Sequence, residues 1–166
     1  MEKPVPPMSL FVACQNGYIE NVKLLLNNQR TDVNRRGKYG ATPFHVACEN
    51  GKIEVVKLLL NDERAELDKA NEDGATPLFV ACHAGHIEIV KLLLASGKEM
   101  GVNQKWKNQK TALDVSKERA ESTQKFSWET EEEFRKAKRN CSRIAELIES
   151  FQKKQEREQK LKGLVY

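Results

Sequence analysis

Asn71–Gly97 reads NEDGATPLFVACHAGHIEIVKLLLASG, and earlier parts of the chain repeat this stretch. Shifted by 34 residues, the sequence aligns Gly40–Phe44 with Gly74–Leu78 and Leu58–Leu60 with Leu92–Leu94. A fixed period of this size is typical of stacked supersecondary units, in which each unit buries its apolar face against its neighbours. We therefore interpret the chain as a series of structural repeats.

Each repeat is predicted to contain a short helix, a turn and a longer helix. Thr76 can cap the first helix with its hydroxyl group, and Pro77 suits the first turn because its missing N–H would be unpaired there. Gly85 can end this helix in the left-handed conformation, and we expect Asn27 and Asn61 to do the same for the longer helices. Apolar residues at a spacing of about 3.6 define the core face of the longer helix: Ile87, Val90, Leu93 and Leu94.

Two segments, Thr42–Ala47 (TPFHVA) and Thr76–Ala81 (TPLFVA), resemble the T-P-L-H-x-A signature of the ankyrin repeat, and Gly85–Leu94 resembles its second helix. The resemblance implies an all-α fold, an ankyrin-repeat solenoid of stacked helix-turn-helix units, to which this chain adds an extended C-terminal helix. It also implies that His45 holds its loop by hydrogen bonding, a role that Phe79 cannot take in the next repeat.

On this basis the chain has one repeat domain, residues 8–151, between a tail of residues 1–7 that we expect to be disordered and a polar tail of residues 152–166. The first repeat is truncated, which suits a terminal cap because a terminal repeat has one neighbour. The four repeats are assigned to residues 8–34, 35–68, 69–103 and 104–151, the last with an insertion at 120–140.

The last repeat departs from the pattern at its insertion, after which apolar residues recur at alternating intervals of three and four. They are Phe134, Ala137, Cys141, Ile144, Ile148 and Phe151. With Thr130 and Glu133 as a capping box, this spacing predicts one long helix from near Thr130 to beyond Phe151. Two interpretations of the extra length remain open: part of the helix projects from the stack, or Phe126 and Trp128 fold back and bury the extra face.

Charge and hydropathy narrow the possible functions. The 166 residues carry a net charge of +4 with both signs interspersed, so nucleic acid is not expected as a partner. No run approaches the roughly 18 apolar residues of a membrane span, and the opening MEKPVPPM lacks the apolar core of a signal peptide. We expect an intracellular, soluble protein, cytoplasmic or alternatively nuclear, that does not bind membranes.

The polar segment Gln152–Lys162 is predicted to be either a solvated helical end or a disordered tail. Glu156 and Glu158 interrupt its basic residues, which weakens it as a nuclear-localisation signal or a nucleic-acid-binding arm. Residues 98–166 nevertheless carry a net charge of +5. A nucleic-acid or enzymatic site in the C-terminal third is therefore kept as a third hypothesis.

Cys14, Cys48 and Cys82 recur at the 34-residue period and so occupy the same place in successive repeats. Packed helices lie about 8–10 Å apart, farther than the roughly 7 Å between Cα atoms that a disulfide tolerates. We expect these cysteines to be buried, reduced and structural. No second ligand pair accompanies Cys82 and His86, and no catalytic motif is present, so we expect no metal, no cofactor and no enzymatic activity.

The resemblance to ankyrin repeats implies a protein partner that binds to the loop tips and to the exposed side of the short helices. We expect a non-catalytic adaptor, scaffold or inhibitor, with Tyr39 and Trp106 as candidate aromatic anchors. The candidate partner-binding residues are Gln15, Asn16, Lys38, Tyr39, Glu49, Asn50, Glu72, Asp73, His83, Lys107, Asn108 and Lys110.

An alternative function is assembly through the long helix, residues 130–151. Chains would then self-associate through the apolar seam, using Phe134, Ile144, Ile148 and Phe151. The seam covers about two and a half heptads, fewer than the three or four that usually indicate a coiled coil, so the sequence leaves this hypothesis open.

Overall fold

The computed structural model describes residues 8–163, and the predicted disorder of residues 1–7 lies outside that range. This part of the chain is helical and contains no strand, which confirms the all-α prediction. One 3₁₀ turn, Lys38–Gly40, accompanies the α-helices. The α-helices are α1 (Leu10–Asn16), α2 (Ile19–Asn27), α3 (Pro43–Glu49), α4 (Ile53–Leu60), α5 (Pro77–Ala84), α6 (Ile87–Ala95), α7 (Ala112–Glu121) and α8 (Glu131–Gly163).

The helices begin where the capping residues predict. The Thr42 hydroxyl accepts a hydrogen bond from the His45 N–H at 3.2 Å, and Thr76 does the same for Phe79. Each threonine is followed by a proline in the first helical turn. These local bonds satisfy N–H groups that have no partner within the helix, so they fix where each short helix starts.

Two predicted helix ends are wrong. Asn27 is still helical, and Asn61 has a φ of −89°, so neither asparagine adopts the left-handed conformation. Instead, the Asn28 N–H donates to the Leu25 carbonyl and the Asp62 N–H donates to the Leu59 carbonyl, both at 3.2 Å. These bonds satisfy carbonyl groups of the last turn without a left-handed residue.

The repeats stack in register. Short helices α1, α3, α5 and α7 pack consecutively, and α2, α4 and α6 form a second row beside them. Leu25, Leu59 and Leu93 are all buried, while their preceding leucines are all half-buried, so successive layers use the same positions. The 34-residue period therefore predicts the layers correctly, although Leu94 of the predicted core face is half-buried and Ile89, outside that face, is fully buried.

The periodic cysteines lie inside this core. Cys14, Cys48 and Cys82 are each fully buried, and Cys141 of α8 is buried as well. Burial raises the pKa of the Cys14 thiol to about 12, and burial raises the pKa of Cys141 to about 11 although the nearby Arg119 charge lowers it. Thiols with such pKa values are poor nucleophiles near neutral pH, which fits the predicted structural role.

The predicted long helix is confirmed, since α8 runs unbroken from Glu131 to Gly163. Thr130 and Glu133 form the predicted capping box: the Thr130 N–H donates to the Glu133 carboxylate at 2.8 Å, and the Glu133 N–H donates to the Thr130 hydroxyl at 3.2 Å. At 1.5 Å per residue the helix is about 50 Å long. Its middle takes the place of the second helix in the fourth repeat, packing against α7 and α6.

The apolar seam of α8 faces its own chain. Phe134, Ile144 and Ile148 are buried against the stack, so the apolar surface that would support self-association is already covered. Phe151 is half-buried, and every residue from Lys153 to Gly163 is exposed. The insertion therefore packs on the stack, whereas the C-terminal end of the helix extends into solvent.

Candidate partner-binding groove

The loop tips form a connected row along one edge of the stack. The Glu72 N–H donates to the Tyr39 carbonyl at 3.0 Å, and the Lys107 N–H donates to the Asp73 carbonyl at 3.2 Å. These backbone bonds hold successive tips side by side. The structure thus brings together six of the predicted binding residues, all exposed, which we call the tip row: Lys38, Tyr39, Glu72, Asp73, Lys107 and Asn108.

The third tip keeps its shape although Gln109 replaces the glycine of the preceding loop. Gln109 has a φ of +66°, and its N–H donates to the Trp106 carbonyl at 2.8 Å. The corresponding Gly74 N–H donates to the Asn71 carbonyl at 3.0 Å. A side chain in this left-handed region is strained, so Gln109 holds the tip geometry at an energetic cost that glycine would avoid.

Charges on the tips are partly paired with one another. The Lys107 ammonium lies 2.9 Å from the Asp73 carboxylate, and Lys110 is tied to Glu118 at 2.6 Å. Tyr39 is 64% exposed, and the Lys38 ammonium lies 4.8 Å from the centre of its ring. Tyr39 is therefore an accessible aromatic group with a cation beside it, as expected of a binding anchor.

Trp106 does not fit its predicted role as an anchor. Its ring is half-buried and packs against Phe79 with centroids 5.4 Å apart. In the preceding repeat, the position of Phe79 is held by His45, whose Nε2–H donates to the Ala75 carbonyl at 3.2 Å. That bond confirms the loop-holding role implied for His45. In the next repeat, an aromatic contact replaces the hydrogen bond.

The short-helix residues surround a groove on the adjoining surface. Four of the predicted binding residues, Gln15, Glu49, Asn50 and His83, line it, and its volume is about 730 Å³. Val80 and His83 also line a smaller hollow that reaches Asp73 and Asn108, so the groove adjoins the tip row. Asn16 is exposed at the end of α1 but does not line the groove.

One wall of the groove comes from the insertion and the start of α8. The residues that provide this wall are Phe126, Trp128, Glu129, Glu133, Lys136, Ala137 and Asn140. Phe126 stacks on Trp128, with ring centres 4.7 Å apart and planes 12° apart, and His83 lies 5.3 Å from Phe126 in a tilted arrangement. Trp128 at the outside of this stack is 76% exposed. The sequence predicts, as one of two interpretations, that Trp128 folds back, but it does not predict the place of Trp128 on the groove rim.

A buried ion pair holds this wall in place. Arg119 of α7 is 5% exposed, and its guanidinium group pairs with the Glu129 carboxylate. The same group lies 4.2 Å from the centre of the Phe126 ring and 5.1 Å from that of Phe134. Burial raises the pKa of Glu129, but hydrogen bonds from Arg119 and the Phe126 N–H outweigh burial and lower the pKa below its usual value. Glu129 is therefore ionised and locked to Arg119 at neutral pH.

The groove carries few free charges at neutral pH. Burial lowers the pKa of both His83 and His86, so both rings are neutral there. Burial raises the pKa of Glu49, which has no ion-pair partner among residues 8–163. Lys136 is the cation on the opposite wall. The groove thus offers aromatic and amide surfaces with isolated charges, a composition that suits a polypeptide segment.

Within the described part of the chain, no group of three or more His, Cys, Asp or Glu side chains is placed to hold a metal ion. None of the helices in residues 8–163 is long and apolar enough to cross a membrane.

These features define a helical repeat protein with a tip row and a groove on one side. A family model described as ankyrin repeats (3 copies) matches residues 10–105, more than half of the chain. The chain therefore belongs to the ankyrin repeat family, whose members generally act as protein–protein interaction modules. The matched region ends before α7, so the fourth repeat and α8 lie beyond it. No curated protein matches the chain.

Proposed function

We propose that this protein is a non-catalytic adaptor, scaffold or inhibitor that binds a partner protein through the tip row and the groove. The observation that carries the proposal is the aromatic stack on the groove rim. Trp128 is 76% exposed, yet it is held in place by Phe126, which is itself fixed by Arg119. An exposed tryptophan with little freedom to move loses little conformational entropy on binding, so it suits a binding anchor.

The tip row would supply a second anchor in Tyr39, and the groove would supply hydrogen-bonding groups between the two. Asn50 and Asn140 each donate to a backbone carbonyl, at 2.8 and 3.0 Å, which orients their side chains. Their side-chain oxygens have no donor among the described residues and can accept hydrogen bonds from N–H groups of a bound peptide.

An intracellular, cytoplasmic location is proposed as well, supported by the family and by four buried cysteines without disulfides.

The experiment compares partner recovery by the wild-type chain and by single variants in a quantitative affinity purification from the source cells. Trp128→Ala and Tyr39→Ala are each expected to reduce recovery of the same partner at least tenfold, the effect of losing about 1.4 kcal/mol or more. Tyr18→Ala is the matched control, because Tyr18 is also exposed (48%) but does not line the groove. Thermal unfolding of each variant verifies the fold. Equal recovery by all three variants would refute this binding surface.

A further inference from the structure

The exposed side of α8 carries a second surface that the groove does not use. Eight cationic side chains along this helix are all exposed. On a helix of 3.6 residues per turn they fall within an arc of about 120°, opposite the buried seam. We call this set the basic stripe; its members are Arg135, Lys136, Arg139, Arg143, Lys153, Lys154, Arg157 and Lys160.

The basic stripe is long, straight and mostly unpaired. At 1.5 Å per residue its ends are about 38 Å apart, and Arg135, Arg139 and Arg143 follow one another at intervals of about 6 Å. Arg135 pairs with Glu131 at 3.3 Å and Lys154 with Glu158 at 3.9 Å. The other six cations have no ion-pair partner within residues 8–163: Lys136, Arg139, Arg143, Lys153, Arg157 and Lys160.

Net charge conceals this surface. The chain as a whole carries +4, but its acidic residues lie mainly elsewhere, and Glu146 is the acidic residue between the two ends of the stripe on the same face. The overall net charge therefore does not indicate a polyanionic partner. The helical register of α8, once confirmed as unbroken, gathers the cations onto one face.

We propose that the basic stripe binds the sugar–phosphate backbone of a nucleic-acid duplex, as a function separate from partner binding in the groove. A rigid array of cations is complementary to a rigid array of anions, and each strand of a duplex presents a phosphate about every 3.4 Å along its axis. The stripe, about 38 Å long, is about as long as one turn of a duplex, so its two groups of cations, Arg135–Arg143 and Lys153–Lys160, would meet the backbone where it crosses the helix.

Other polyanions fit the surface less well. Helices that bind membrane surfaces insert an apolar face, but the seam of α8 is buried against the stack, and within residues 131–163 Leu161 is the one exposed large apolar residue beside the stripe. Proteins that bind single strands offer aromatic rings on which bases stack, and the stripe contains no aromatic residue. A duplex requires neither, because its outer surface is a regular array of phosphates.

The test uses the full-length chain and fluorescence anisotropy with labelled 20-base-pair duplexes of DNA and RNA, between 50 and 200 mM salt. A single strand of the same sequence and vesicles of phosphatidylcholine with phosphatidylserine serve as comparison ligands. If six cations contact phosphates, the slope of log K against log salt is expected to be about −5. Both duplexes are expected to bind, because the contacts are made to backbone phosphates.

A variant that removes four cations locates the contacts. Its substitutions are Arg139→Gln, Arg143→Gln, Lys153→Gln and Arg157→Gln, all at exposed positions. We expect its duplex affinity to fall at least tenfold and its salt slope to become about −2. Lys136 is retained because it also borders the groove.

A second variant controls for net charge, since it removes the same four positive charges away from α8. Its substitutions are Lys23→Gln, Lys57→Gln, Lys69→Gln and Lys91→Gln, each at a lysine paired with a glutamate three residues earlier. It is expected to keep wild-type duplex affinity within about threefold. Equal loss in both variants, no duplex binding at 50 mM salt, or equal or tighter binding to the single strand or the vesicles would each overturn the proposal.

Discussion

Acidification is expected to destabilise this protein through His45. The ring is buried, its Nε2 lies 3.2 Å from the Ala75 carbonyl, and its Nδ1 has no partner. A carbonyl oxygen can accept but not donate, so Nε2 must carry the proton and Nδ1 must be an unprotonated acceptor. A second proton on Nδ1 would be a buried charge without an acceptor, which the surroundings strongly disfavour.

The magnitude follows from the pKa of this ring. Burial lowers the pKa of His45 from 6.5 to about 4, although the hydrogen bond to Ala75 opposes the change. Between those values the unfolded chain binds a proton that the folded chain does not. The contribution of His45 to the free energy of unfolding is therefore fully present above pH 6.5 and is lost as the pH decreases toward 4. By pH 4.5 the loss from His45 alone is about 2.5 kcal/mol.

The test substitutes glutamine, which keeps a side-chain donor for the Ala75 carbonyl but does not titrate. The free energy of unfolding is measured by urea titration and circular dichroism from pH 7.5 to 4.5 for the wild type and for His45→Gln. The variant is expected to be less stable at pH 7.5, since glutamine fits the site imperfectly, but to lose about 2.5 kcal/mol less on acidification. His83, His86 and the carboxylates titrate in both proteins, so the difference isolates His45.

His83→Gln is the matched control, because that ring is half-buried and is expected to contribute a smaller pH dependence. The reasoning about the buried ring is refuted if wild type and His45→Gln lose the same free energy between pH 7.5 and 4.5. Titration of the His45 ring proton by NMR with a midpoint near 6.5 would refute it independently.

Two further predictions concern the packing of the fourth repeat. Glu129→Met leaves Arg119 buried without a counter-ion and should cost about 3 kcal/mol in urea unfolding, whereas adding Arg119→Met should restore most of the stability, because neither charge then remains. An equal cost in the single and the double variant would contradict the ion-pair argument. Gly85→Ala places a Cβ 3.2 Å from the backbone of Ala137 and should destabilise the protein by about 1–3 kcal/mol more than Gly97→Ala. Gly97 is the control because it has a similar positive φ but open space around it. Equal losses of stability in the two variants would show that α8 does not press on the Gly85 turn.

The repetitive part of the molecule could be predicted from the sequence because its determinants are local and recur. Thr42 and Thr76 cap helices through bonds to the third residue that follows, and the leucines of each long helix occupy equivalent layers. A capping box and a regular seam likewise predicted α8. In each case the residues that interact lie within a few positions of one another, or at a fixed period, so spacing alone carries the information.

The groove could be predicted only in part because its outer wall depends on contacts without periodicity. Arg119 reaches Glu129 ten residues later, and the resulting position of Phe126 decides where Trp128 lies. One signal was present. Val115 and Arg119 are four residues apart on α7, and both are buried. A charged residue on the apolar face of a helix calls for a buried partner, and that requirement identifies the insertion as packed rather than projecting.

Closing the stack of repeats requires only part of α8, so the remaining length of the helix is available for binding. In the interior, a Cβ at Gly51 would meet the His86 ring at the start of the next long helix, and His86 donates to the Glu49 carbonyl at 2.9 Å. At the turn between α5 and α6, α8 makes the corresponding contact, since the Asn140 side chain donates to the Gly85 carbonyl at 3.0 Å.

A long helix comparable to α6, which has nine residues, would therefore complete the fourth repeat if it began near Asn140. Residues 131–139 precede that point, and Glu133, Lys136 and Ala137 among them line the groove, while residues 153–163 follow it and are exposed. Neither extension is required for the core that the periodic residues build. Each extension instead adds surface: the first supplies part of the groove wall and three cations of the basic stripe, and the second supplies four more of those cations. The two proposed binding activities follow from those two additions.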